Sequence, residues 1–138
     1  MKNMKKLSLI LIILTIIPLL FACAKTPANP TSADTADCTS VGQGEKTFVF
    51  TCVKPDGSET SFRVSTDAVT VGEALVSLGI ISGEEGPYGL YVKTVRGVTL
   101  DYDTDGKYWA FYVDSSYASK GVDQTEITDG AVYSFKAE

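Results

Sequence analysis

Asp101, Asp103 and Asp105, followed by Gly106, have a spacing that fits a metal ion. The pattern D-x-D-x-D-G is the first half of a calcium loop, in which alternate oxygen ligands converge on one cation. Such a loop closes with a bidentate carboxylate at its twelfth position, where this chain has Tyr112. The same residues suit a hairpin turn, because Asp and Gly accept the backbone angles of turns. Thr-Asp-Gly recurs at Thr128–Gly130, again before a strand-like run. The turn is therefore the leading reading, with calcium on Asp101, Asp103 and Asp105 as the weak alternative. The chain has no His. That excludes a Ser-His-Asp triad and disfavours protein-bound zinc, iron or copper. Its 17 acidic residues leave a two-carboxylate hydrolase open on composition, but nothing in their spacing sets two of them across a cleft. The expectation is a binding protein rather than an enzyme, with no required cofactor.

The cysteines carry a different chemistry. Lys2, Lys5 and Lys6 precede a mostly apolar run, Leu7–Ala22, and Cys23 follows directly. The arrangement has the shape of a secretory signal, and the run is short for a membrane span, which needs roughly 20 apolar residues. Leu20-Phe21-Ala22-Cys23 resembles the lipobox of bacterial lipoproteins, although Phe21 is bulkier than usual there. The expectation is a signal peptide over 1–22, a lipidated Cys23, and a protein held outside the bacterial cell membrane by its acyl chains. The alternatives are an ordinary cleaved signal or an uncleaved anchor. Residues 23–45, rich in Thr, Pro, Ala, Ser, Asp and Gly, read as a disordered tether. In an exported chain, Cys38 and Cys52 suggest a disulfide between tether and first strand, the alternative being two unpaired thiols. Without the three leading lysines, the 12 basic residues fall to 9 against 17 acidic ones, a net charge near −8. Such acidity argues against nucleic acid as a partner.

The folding part is a single small domain over 46–138. Thr47–Val53 and Ser61–Ser65 alternate, and Pro55-Asp56-Gly57 between them is turn chemistry, so a hairpin is expected. Thr70-Val71-Gly72-Glu73 matches a capping box. Val71, Ala74, Leu75 and Leu78 then repeat at helical spacing, and Gly79 stops the helix. Ser82–Gly86 reads as a polar loop. Leu90–Val95, Val98–Tyr102, Tyr108–Val113 and Ala131–Lys136 read as strands, with Ser115–Asp129 a long connection before the last. The fold class is α+β, a small β-grasp-like domain with a mostly antiparallel or mixed sheet packed on one helix.

Strand parity sends Phe48, Phe50, Phe62, Val64, Leu90, Val92, Trp109, Phe111, Val113, Tyr133 and Phe135 toward the helix. The opposite face then shows Thr51, Arg63, Tyr91, Lys93, Tyr108, Ala110, Tyr112 and Ser134. Tyr91, Tyr108 and Tyr112 on an uncovered face would form a flat amphipathic binding platform. Strand propensity alone would also place tyrosines there.

Thr70–Leu75, Gly89–Val95, Tyr108-Trp109-Ala110-Phe111-Tyr112-Val113, Gly121-Val122 and Thr128-Asp129-Gly130 stand in an order and spacing that resemble a family of bacterial domains. These domains are similar to the C-terminal β domain of transcobalamin and intrinsic factor. The resemblance implies a sheet packed on one helix, and a surface that closes over one face of cobalamin or another corrinoid. Carried to this chain, it implies Gly89, Leu90, Tyr91, Tyr108, Ala110 and Tyr112 as ligand-binding residues. The helical domain that holds the other face in the animal proteins has no counterpart here, and neither does a His ligand to cobalt. The resulting expectation is a surface lipoprotein that captures a corrinoid for an uptake system. The alternative is a surface module that binds a protein or glycan.

Overall fold

The computed structural model describes residues 38–138. The signal-like residues 1–22, Cys23 and the tether up to residue 37 lie outside the described residues.

The large sheet starts from a hairpin. β2 (Lys46–Val53) and β3 (Glu59–Thr66) pair antiparallel, with Phe50 opposite Phe62. Phe48, Phe50 and Cys52 alternate with Phe62, Val64 and Thr66 on the buried face, the period-two pattern of a half-buried strand. The turn between them follows from its residues. Gly57 adopts a φ of 83°, its N–H donates to Lys54 O at 2.9 Å, and Asp56 Oδ1 accepts from Ser58 N at 2.8 Å.

β9 (Val132–Ala137) lies in the middle of the sheet, parallel to β2 and antiparallel to β7 (Trp109–Val113). β8 (Ser116–Tyr117) closes one edge and β1 (Thr39–Gly42) the other, in the order β1-β3-β2-β9-β7-β8. The sheet is mixed, with β1–β3 and β2–β9 as its parallel pairs. β1 occupies residues read as the end of the tether. Its sequence, Thr-Ser-Val-Gly, has only Val41 to pack on the core, so alternation could not mark it.

Helix α1 (Val71–Ser77) packs on the inner face through Val71, Ala74 and Leu75, all buried. Thr70 Oγ1 accepts from Glu73 N at 3.2 Å, while Glu73 Oε2 accepts from Val69 N at 3.0 Å, one residue further back than the simple capping box. The helix ends in a Schellman turn. Ile80 N donates to Leu75 O and Gly79 N to Val76 O, both at 2.9 Å, with Gly79 at φ 66°.

The remaining strands build a second sheet, which the sequence reading did not separate. β4 (Ile81–Gly86), β5 (Gly89–Val95) and β6 (Val98–Thr99) pair antiparallel in that order. β4 includes the segment read as a polar loop. It is an exposed edge in which only Ile81 is buried, with a register shift at Ser82/Gly83. The strand expected over Val98–Tyr102 ends at Thr99, and Tyr102–Asp105 forms a single helical turn, α2. Asp101 caps it by accepting from Asp103 N at 3.0 Å, and Gly106 leaves it at φ 62°.

The expected disulfide is absent, since Cys38 and Cys52 are both free thiols. The reason is strand order. β3 lies between β1 and β2, so the two chain segments are two interstrand spacings apart, about 9–10 Å. A disulfide cannot span Cα atoms more than about 7 Å apart without moving backbone.

The core is continuous across both sheets and the helix, including Val92, Val95 and Leu100 from the second sheet and its exit. Trp109 Nε1 donates to Val98 O at 3.1 Å, and the Arg96 guanidinium lies 4.3 Å from the Phe62 ring centroid. These two contacts join the two sheets.

Candidate functional site

Because β5 belongs to a different sheet from β7, a cleft opens between them. Its volume is about 630 Å³, within the usual range for small-molecule sites. Leu90, Tyr91 and Val92 of β5 line one side, and Tyr108, Trp109 and Phe111 at the start of β7 line another. Pro87 and Tyr88, at the tip of the β4–β5 hairpin, and the strap Tyr117–Val122 complete the rim. Phe111 and Phe135 extend the apolar lining to the core, their rings tilted by 30° with centroids 5.1 Å apart.

The rim is unusually aromatic for exposed surface. Tyr88 is 89% exposed, Tyr117 61% and Tyr91 44%. Large apolar rings left in water around one concavity are the surface signature of a binding site. Tyrosine suits that position, since its ring offers apolar area and its hydroxyl remains solvated.

The geometry divides the six residues that the sequence reading grouped together. Leu90, Tyr91 and Tyr108 line the cleft. Gly89 lies at its end, where its missing side chain makes room for Asp123. Ala110 and Tyr112 lie elsewhere. Ala110 is buried opposite Lys136, and Tyr112 does not line the cleft but sits behind its rim. Tyr112 packs edge-on to Tyr117 at 5.4 Å, carries Lys136 Nζ over its ring at 4.5 Å, and donates its hydroxyl to Glu138 Oε1 at 2.5 Å. That bond to a carboxylate holds the phenolic proton, and the Tyr112 pKa is pushed up to about 12. Tyr108 is also raised, chiefly by the Tyr117 hydroxyl beside it. The single uncovered face carrying Tyr91, Tyr108 and Tyr112 therefore does not exist, because Tyr91 is in the second sheet.

Tyr88 and the strap were not among the sequence candidates. Gly86-Pro87-Tyr88-Gly89 did carry a usable signal, an aromatic residue at the apex of a Gly/Pro turn. The strap is held by Ala118 N donating to Phe111 O at 3.0 Å and by Gln124 Nε2 donating to Tyr88 O at 3.3 Å.

Asp123, just after the strap, packs against two glycines. A Cβ at Gly89 would lie 2.5 Å from its Oδ2, and one at Gly121 would lie 2.7 Å from its Oδ1. Its Oδ1 is buried and has no hydrogen-bond partner among the described residues.

The aspartates of the calcium alternative do not converge. Asp101 accepts from Asp103 N at 3.0 Å and pairs with Lys93 Nζ at 3.3 Å, while Asp105 Oδ2 accepts from Asp101 N at 2.8 Å. The Lys93 ammonium holds the Asp101 carboxyl below its ordinary pKa. In turn, Glu84 and then Asp101 raise the Lys93 pKa. Among the described residues, no group of three or more His, Cys, Asp or Glu side chains is placed to hold a metal ion.

Comparison with known proteins places these residues in context. The family described as Domain of unknown function (DUF4430) matches residues 68–137, which include α1, both cleft walls and the strap. A candidate metal binding protein from Ruminococcus gnavus ATCC 29149 is 32% identical, with a TM-score of 0.65 over 68% of this chain and 97% of that one. Haptocorrin in complex with Cbi shares the fold at 17% identity, with a TM-score of 0.52 over 78% of this chain. The matched region is 28% of haptocorrin's length. No curated protein matches the sequence.

Proposed function

The chain belongs to the family described as Domain of unknown function (DUF4430), and from that membership and the cleft we propose a non-catalytic domain that binds a flat organic ligand, with cobalamin or a related corrinoid as the leading candidate. The observation that carries this reading is the aromatic rim of Tyr88, Tyr91 and Tyr117 over an apolar-floored cleft of about 630 Å³. Such a site buries a planar ligand by stacking and area rather than by reaction. The haptocorrin fold likeness supports the corrinoid candidate, since that structure holds Cbi. The central β9, parallel to β2 and next to the β2–β3 hairpin, supports the β-grasp-like description.

In the same proposal the domain is displayed outside the cell membrane through a lipidated Cys23 and passes its ligand to an uptake system. The lipobox-like Leu20–Cys23 is the support for that placement.

Calorimetric titration of cobalamin and cobinamide into the chain from Lys25 onward tests the ligand. The truncation is sound because the core is closed within the described residues. Saturable binding at micromolar affinity or better, about −8 kcal/mol, is expected. It should fall with Tyr91→Ala and Tyr108→Ala and persist with Tyr112→Phe, which lies off the cleft. No heat from a cooperatively folded sample would remove corrinoids as the ligand.

A further inference from the structure

The protein is acidic, with 17 Asp and Glu against 12 Lys and Arg. Its cleft departs from that balance. Among the described residues, the lining contains one charged side chain, Lys120, and no carboxylate. Lys120 stands on the strap, between the cleft and a recess of about 480 Å³ on the strap's other side, where Glu126 is found. No carboxylate of the described residues lies within ion-pair distance of it, since the ion pairs there join Lys93 to Glu84 and Asp101.

The backbone beside it is also open. The strap is fixed at its ends, by Ala118 N to Phe111 O and by Gln124 N to Gly121 O. Between them, the amides of Ser119, Lys120 and Gly121 donate to no acceptor among the described residues. The strap is therefore the cleft's positive edge through the Lys120 ammonium, with the Ser119 and Lys120 amides as exposed donors beside it, while the Asp123 carboxylate lies behind Gly121. Elsewhere the cleft offers rings, aliphatic groups and uncharged polar groups, the tyrosine hydroxyls and the Gln124 amide.

We propose that Lys120, with the Ser119 and Lys120 amides beside it, recognises an oxyanion carried by the ligand, so that the cleft selects flat molecules with an anionic appendage over neutral ones of the same shape. This deepens the cleft-binding reading and rests on the cleft being the ligand site, but it does not require a corrinoid. Carboxylate, sulfonate and phosphodiester groups share the needed chemistry. Lys120 acts here as a point charge on a solvated rim, so its contribution is that of an exposed pair, enough for selectivity rather than for the bulk of affinity.

The test uses a matched pair of fluorescent probes, anilinonaphthalene sulfonate and its uncharged analogue phenylnaphthylamine, titrated into the chain from Lys25 onward. The wild type should favour the sulfonate. Lys120→Gln should weaken the sulfonate by about threefold to fivefold and leave phenylnaphthylamine unchanged. Lys120→Arg should retain sulfonate binding, and high salt should reduce it toward the Lys120→Gln level. Equal loss for both probes, no loss for either, or a wild-type preference for the neutral probe would overturn the proposal. Failure of both probes to bind a folded wild type would overturn it together with the flat-ligand reading. Cobalamin titration separates the remaining cases. Cobalamin binding without probe discrimination sinks only the anion edge, and discrimination without cobalamin binding sinks only the corrinoid.

Discussion

Asp123 occupies the space that a side chain at residue 89 would need. Gly89 has a φ of 101°, and a Cβ there would lie 2.5 Å from Asp123 Oδ2. The carboxylate thus packs directly on the backbone where β5 leaves the hairpin tip, and Gln124 reaches the same tip through Tyr88 O. Together they press the hairpin against the strap and fix the end of the cleft. Gly89→Ala combines a left-handed backbone with a clash, and should cost about 1–3 kcal/mol. Asp123→Ala removes the clash partner and a buried oxygen with no hydrogen bond, so alone it should cost little. The double variant should recover part of the Gly89→Ala loss, leaving the backbone strain. Denaturant melts of the four proteins measure the coupling. Additive effects would mean that the two residues do not meet.

How far the sequence could be read follows from the same geometry. The β2–β3 hairpin, the capped helix, β7 and β9 were legible because each has one buried face, and Phe48, Phe50, Phe62, Val64, Trp109, Phe111, Tyr133 and Phe135 report it by alternation. Alternation says which residues of a strand face the core but not which sheet the strand joins. Leu90 and Val92 were therefore placed beside Trp109 and Phe111 as though in one sheet, and the opposite parity produced a tyrosine face that the fold divides. β1 and β4 were illegible for another reason. Both are edges with nearly all side chains exposed, so their backbone pairing leaves no apolar pattern. The cleft lies between the two sheets, and part of its rim comes from a strap, Tyr117–Val122, whose residues show no strand or helix periodicity. Tyr91 and Tyr108 were found on the basis of the family resemblance and strand parity, while Tyr88 and Lys120 required the fold.

The free cysteines make a prediction about redox sensitivity. Cys52 is buried in β2, and burial raises its thiol pKa, which makes it unreactive. Cys38 is half-exposed at the start of β1. A thiol reagent should modify Cys38 in the native protein and Cys52 only after denaturation. The melting temperature should be the same with and without reductant. A lower melting temperature in reductant, or no modifiable thiol after denaturation without it, would show that the two are joined.

The short helix should carry stability unevenly. Leu75 is fully buried against the large sheet, whereas Val76, next to it, is 47% exposed. Leu75→Ala removes buried volume that the sheet cannot easily refill, and should cost about 2–5 kcal/mol. Val76→Ala should be close to neutral, helped by the higher helix propensity of Ala. Thr70→Ala removes the cap to Glu73 N and should cost about 0.5–2 kcal/mol. Equal losses for Leu75→Ala and Val76→Ala would place the wrong face of α1 against the core.

Tyr112 and Glu138 give the molecule a pH response in the alkaline range. The phenol donates to the carboxylate at 2.5 Å, and the folded-state pKa is about 12 against an ordinary value of 10.0. The folded protein therefore keeps this proton more tightly than the unfolded chain does. Its contribution to stability is fully present below about pH 10 and is lost as pH rises through about 12. Phenolate absorbance should show one of the seven tyrosines titrating late. In Glu138→Gln that titration should move down toward the ordinary range, since the charge that opposed the phenolate is gone. In Tyr112→Phe the late step should disappear, and stability should decline less steeply between pH 10 and 12. A late step that survives Tyr112→Phe would assign the held proton to another tyrosine, with Tyr108 beside Tyr117 the next to examine.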